Sequence, residues 1–370
     1  MDNFKQNRIK KIELASGILI GIIIIGFIAY VIYQRENVIA GMLRIITSPA
    51  VLITDFLVIG GIGAVFLNAF LILIFNLTLT KLLKVEINGL VIACFFTVFG
   101  FSFFGKNILN VLPFYLGGIL YSVFEHIDFK EIFITICFTT ALAPFVSEVA
   151  FRVDTTDTSY INAIALGIII GFIVTPLAKK MANFHEGFNL YNLGFTGGIL
   201  GAVITSILKL YHFQIIPTRI ISTEFDLALK ILCTAVFIAL IIIGFIINDS
   251  SFKGYRNLLK DTGLKADYVL KYGYGLTFIN MGIMGFVAIG FLMLIGEKLN
   301  GPLLAGVLAV VGFSAYGKHF KNTIPILVGV WFAGWGTSTN GFTTALSALF
   351  GTSLAPVAGV YGTVWGIIAG

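Results

Sequence analysis

The sequence predicts an all-α polytopic membrane protein built from two tandem repeats of about seven membrane segments each, in inverted topology, with the second repeat truncated. Three observations carry this. Of the 370 residues 58% are hydrophobic and only 11% charged, with a mean hydropathy of +0.99, whereas soluble domains are about one quarter charged. Apolar blocks follow one another from Glu13 onward, each close to the ~20 residues that a bilayer-crossing helix needs. Finally, Gly100 to Lys106, GFSFFGK, returns 212 positions later as GFSAYGK at Gly312 to Lys318.

The same offset, without a gap, brings Asp55 onto Asp267, Asn68 onto Asn280, Asn88-Gly89 onto Asn300-Gly301 and Asn110 onto Asn322. It also brings Pro113 onto Pro325 and Leu142-Ala143-Pro144 onto Leu354-Ala355-Pro356. Apolar composition alone would match Leu with Ile, not these polar and turn-forming positions, so the register marks a duplication. Residues 1–12 read as a cytoplasmic segment, 13–224 as the first membrane repeat and 225–370 as the second.

In order, a basic start with Lys5, Arg8, Lys10 and Lys11 precedes span one at 13–33. This span is followed by many others and by no small-residue cleavage pattern, so it is a membrane span rather than a signal peptide. Span two, 50–77, carries Asp55 and Asn68; span three, 86–104, ends in GFSFFGK; a shorter block at 108–123 contains Pro113. Span five, 131–150, contains Ala143-Pro144 and finishes on Glu148, whose place four residues before Arg152 reads as an ion pair at the membrane edge. Arg152 to Thr158 looks like an insertion. Span six, 159–178, is closed by Lys179 and Lys180, and span seven, 187–211, opens with GFNLYNLGFTGG. Span eight, 227–247, repeats the IIIGF of Ile23–Phe27 at Ile241–Phe245, and so starts the second copy.

Seven crossings per copy is an odd number, so the second copy enters from the opposite side. With the N-terminus in the cytoplasm, loops assigned inside hold fifteen Lys and Arg and those outside seven, the bias expected of a bacterial inner (plasma) membrane protein. GIIIG at Gly167–Gly171 matches GIIAG at Gly366–Gly370, after which nothing corresponds to span seven. A helix stopped midway in lipid leaves backbone groups unsatisfied, so a fragment is expected.

Enzyme signatures are missing. His126, His185, His212 and His319 show no metal-ligand spacing, and Gly312 to Lys318 lacks the residues of a phosphate loop. Cys94, Cys137 and Cys233 lie inside apolar blocks without paired spacing, reading as buried free thiols. No enzyme, metal or cofactor is therefore expected. The net charge of +6 resides in short loops and sets topology rather than binding nucleic acid.

Inverted repeats in membranes commonly build half-sites near the midplane from interrupted helices. Asn68 and Asn280 fall within equivalent spans, where an amide must face protein or an aqueous path; an interhelical hydrogen bond is the bland alternative. Asn189 and Asn192, three apart at the start of span seven, line a vestibule or cap the helix, with Thr196 one turn on. Gly194 and Gly198 have helix-packing spacing. Pro144 and Pro356 interrupt their spans and free carbonyls. Thr337, Thr339 and Asn340 form the most polar stretch of the second copy and read either as a connecting loop or as a hydroxyl-lined pore segment that binds solute. Lys106 and Lys318 end spans and read as snorkelling anchors; Asp55 and Asp267 read as helix caps.

With the twin GFSxxGK runs, the paired Asn spans and FNLYNLGFTGG, the chain resembles an uncharacterised bacterial family of duplicated multi-pass membrane proteins, a domain of unknown function, DUF1576. The resemblance implies a membrane location and duplication but no activity. A fainter likeness is to bacterial urea transporters, whose Gly–Tyr–Asn–Gly-type run is similar to Leu190-Tyr191-Asn192-Leu193-Gly194. That family's paired Asn-Pro motifs are replaced here by Ala143-Pro144 and Ala355-Pro356, so urea is not supported. The expected function is a transporter or channel for a small polar solute, embedded in a lipid bilayer, with room for a homo-oligomer. The contrasting class is a non-transporting scaffold or subunit.

Overall fold

The computed structural model describes residues 21–50, 53–151, 157–210 and 219–370. Apart from one two-residue parallel pair, β1 (Ile53–Thr54) with β2 (Arg219–Ile220), the described elements are helical. Among the described residues, six helical stretches are long and apolar enough to cross a membrane, and up to eight if two bent pairs each count as one span. This is an all-α, multi-pass membrane architecture. Only a helix can satisfy its own backbone groups within such continuous apolar runs.

Helices α1 (Gly21–Tyr33) and α2 (Val38–Thr47) meet at 90°. The basic start at 1–12 lies outside the described residues. The segment read as a single span at 50–77 is divided into α3 (Phe56–Gly60) and α4 (Ile62–Leu82) at Gly61, whose φ of 84° suits glycine. The Glu36 carboxylate accepts from Ile62 N at 3.0 Å and Gly63 N at 2.7 Å, satisfying the exposed start of α4. Gly273, with φ 78°, breaks α13 (Tyr268–Leu294) at the corresponding place.

Helix α5 (Gly89–Phe101) and helix α6 (Leu112–Phe124) have 13 residues each, about 20 Å, short of the ~30 Å hydrocarbon core. The spans read at 86–104 and 108–123 are therefore not full crossings by themselves. Next come α7 (Phe129–Thr139), a 3-10 turn at Thr140–Leu142, and α8 (Pro144–Phe151), bent by 45° from α7. Helix α9 (Asp157–His185) runs 29 residues through Pro176, and α10 (Asn192–Leu210) follows. Residues 152–156 of the expected insertion, including Arg152, lie outside the described residues.

The remainder comprises α11 (Asp226–Ile247), the short α12 (Tyr255–Leu258), α13, α14 (Gly301–Phe313), α15 (Phe320–Gly336), α16 (Gly341–Gly351), a 3-10 turn at Thr352–Leu354, α17 (Ala355–Tyr361) and α18 (Thr363–Ala369). Pro144 and Pro356 thus both follow a 3-10 turn. Helices α5 and α14 pack against each other antiparallel. Gly100 lies against Ala305 and Leu308, while Gly312 lies against Ala93 and Phe96, the same positions moved by 212. A core containing Phe56, Phe66, Phe237, Met281, Leu303 and Ala345 joins both halves around this pair.

Candidate functional site

Each GFSxxGK run is a sharp turn held by two asparagines. The Asn68 amide donates to Ser102 O at 3.0 Å and Lys106 O at 2.8 Å. The Asn280 amide donates to Ser314 O and Lys318 O, both at 2.7 Å. From the other side, Asn110 donates to Gly105 O and Asn322 to Gly317 O, each at 2.9 Å. Gly105 and Gly317 stand at φ 75° and 90°, which explains the glycine before each lysine. Asn68 and Asn280 are fully buried, their amides are committed to the turns, and neither lines the cavities described below.

Asp55 and Asp267 do cap helices, each in two places. Asp55 accepts from Leu57 N at 2.9 Å at the start of α3 and, across the halves, from Gly301 N at 3.1 Å at the start of α14. Asp267 accepts from Leu270 N at 3.0 Å and from Gly89 N at 2.9 Å at the start of α5. A side chain at Gly89 would collide with Ala315 O, and one at Gly301 with Phe103 O. The reciprocal caps therefore fix the two turns beside the opposite helix starts.

The lysines of the turns correct the sequence reading. Lys106 is 1% exposed and Lys318 0%, so neither snorkels to the membrane surface; removing both from the loop tally takes one cation from each side and leaves the charge bias standing. Lys318 Nζ donates to Tyr191 OH and Thr352 Oγ1, both at 2.6 Å. It lies 5.6 Å from the Phe313 ring centre, as Lys106 Nζ does from that of Phe101. Phe101 in turn packs on Phe350 at 5.7 Å and Phe138 on Phe313 at 5.8 Å. Since Phe101 and Phe313, like Phe138 and Phe350, are 212 positions apart, the four rings form two equivalent pairs. Tyr191 completes the group, 4.4 Å from Phe313, and is positioned by Leu190 N donating to Ser353 O at 2.9 Å.

Two cavities abut at this aromatic collar. One, about 560 Å³, has Glu131, His185, Asn192 and Lys265 along its walls. The other, about 900 Å³, reaches Pro144, Glu148, Gly201 and Thr205. Both are bounded by Phe101, Phe138, Asn189, Tyr191 and Phe350. The first therefore extends toward the starts of α7 and α10, and the second toward the end of α10 and α8. A third cavity, about 660 Å³, is lined by apolar side chains of α1, α4 and α11, a composition suited to lipid tails.

Of the residues singled out in the sequence, Asn189 and Asn192 do line a cavity. Asn189 Oδ1 accepts from Tyr191 N at 2.9 Å. Asn192 donates to Ala178 O at 3.1 Å, with its Oδ1 2.9 Å from His185 Nε2. Thr196 is buried and donates to Asn192 O at 2.8 Å. Thr337, Thr339 and Asn340 form an exposed turn between α15 and α16, where Asn340 caps α16 through Thr343 N; they line neither cavity. Cys94, Cys137 and Cys233 are buried and free. Among the described residues no cluster of metal-ligating side chains occurs.

Outside the spans, the loop before α13 braces the second turn. Asp261 O accepts from His319 Nε2 at 2.8 Å, and the Asp261 carboxylate pairs with Lys271 at 2.9 Å. Burial pushes the Asp261 carboxyl up, but Gly263 N–H, Lys271 and Tyr272 together outweigh it and hold it below the usual range.

A family model described as "Protein of unknown function (DUF1576)" matches residues 34–210 and 247–370. The chain belongs to this family. The two matched stretches carry both GFSxxGK turns, so the collar and both buried lysines of this DUF1576 member lie in the family's shared region. No curated protein and no solved structure matches the chain.

Proposed function

We propose that the chain is a membrane transporter or channel for a small polar solute, that its halves are inverted repeats, and that the solute passes between them at the aromatic collar near the bilayer midplane. The observation that carries this reading is the pair of cavities that share Phe101, Phe138, Tyr191 and Phe350 as walls, one reaching Glu131 and Asn192 and the other Glu148 and Thr205. Supporting the inversion are the antiparallel packing of α5 on α14 and the reciprocal caps of Asp55 and Asp267. Interrupted helices that bring backbone and short polar groups to a midplane path are the usual means of binding a solute inside lipid.

Flux of small solutes into proteoliposomes tests it. Phe138→Trp and Phe350→Trp enlarge the collar walls and are expected to slow flux about tenfold or more, an added barrier of about 1.4 kcal/mol. Phe124→Trp, at a position 67% exposed on α6, is the control and leaves flux unchanged. Undiminished flux in both collar variants would remove the path from this site, and no flux through the native protein would favour the scaffold reading.

A further inference from the structure

We infer that the solute is a small anion, drawn to the collar by the two buried lysines behind its rings. This rests on the conduction reading and names its substrate class. An ionisable group in a low-dielectric interior keeps its charge when a compensating charge stands beside it and otherwise gives that charge up. Among the described residues, Lys318 Nζ has the neutral oxygens of Tyr191 and Thr352 at hydrogen-bond distance, which accept its hydrogen bonds without supplying a negative charge. Neither Lys318 nor Lys106 has a carboxylate partner among the described residues, in contrast to Lys130, Lys230 and Lys271.

The arrangement is duplicated. Each lysine follows its glycine in the turn, and each stands over the phenylalanine five residues before it. An anion at the wall that the two cavities share would supply the negative charge that either lysine lacks and so favour its ammonium form, whereas a cation there would not. The carboxylates that line the cavities, Glu131 and Glu148, are placed away from the collar in sequence: Glu131 is about two turns before Phe138 on α7, and Glu148 is on α8 beyond the bend. Lys265 adds a cation to the wall of the first cavity.

The experiment compares nitrate and formate with urea and glycerol in proteoliposomes holding the full protein. The anions are expected to pass at least about ten times faster than the neutral solutes. Lys318→Gln should abolish most of that difference, Lys318→Arg should retain it, and Tyr191→Phe, which keeps the ring and removes the hydroxyl, should reduce it. If Lys318→Gln does not fold, the native selectivity and Tyr191→Phe still decide. Urea or glycerol passing as fast as the anions, or Lys318→Gln retaining full anion flux, would overturn the anion assignment and leave the path intact. No flux of any probe would sink the conduction reading and this inference with it.

Discussion

Asn68 donates to two carbonyls of the turn after α5, and Asn280 does the same after α14. Replacing either by Leu strands two buried carbonyls, each costing about 1–3 kcal/mol. Asn68→Leu and Asn280→Leu are therefore expected to lower the thermal midpoint of the detergent-purified protein, and the surviving folded molecules to conduct as before. An unchanged midpoint with lost flux would instead give these amides a direct role with solute. The pairing of Asn68 with Asn280 is legible in the sequence because the duplication preserves both. What they bond is not legible, because the acceptors are backbone carbonyls 34 and 38 residues onward, which any side chain leaves unmarked. Lys106 and Lys318 misled for a related reason: a lysine after an apolar run looks the same whether the turn is at the surface or folded inside. Tyr191 lay within the singled-out run as a neighbour of the asparagines. Its partner Lys318 is 127 positions away, and no local pattern announces that bond.

At the scale of elements, the reciprocal caps tie α14 to α3 and α5 to α13, and so join the two halves more firmly than helix packing alone. An N-cap is worth about 1–2 kcal/mol, and each aspartate caps both its own helix and one in the opposite half. Asp55→Ala and Asp267→Ala are expected to destabilise by similar amounts, with Asp55→Asn milder because an acceptor oxygen remains; thermal unfolding in detergent measures this. An Asp55→Ala protein with an unaltered melt would show that the Gly301 and Leu57 caps contribute little. The caps were foreseeable at α3 and α13, where an aspartate directly precedes a helix. Their second bonds, to Gly301 and Gly89, span 246 and 178 residues and depend on the halves being packed. The break at Gly61 was hidden because a glycine inside an apolar run is as compatible with close packing as with positive φ. Glu36, which caps the resulting helix, lies beyond the segment that the hydropathy pattern marks.

For the whole molecule, inversion has a consequence that side-chain chemistry can read. Helices α5 and α14 pack antiparallel, so if both lie along the membrane normal their starts face opposite compartments. Glu86 and Lys298 occupy equivalent positions just before those starts, and both are exposed. Glu86→Cys and Lys298→Cys should therefore react with a membrane-impermeant maleimide added to opposite sides of intact cells or oriented vesicles. The native thiols Cys94, Cys137 and Cys233 are buried and should stay unlabelled in the folded protein, so no cysteine-free background is needed. Labelling of both variants from one side would defeat the inverted reading, because a same-side pair cannot be produced by a two-fold axis in the membrane plane. Opposite labelling would place the two lysine-bearing turns as mirror entries to one collar, each approached from its own face. A collar of that kind presents equivalent ring pairs to a solute arriving from either side, while Tyr191, a residue of the first half bonded to Lys318, sets one side apart from the other.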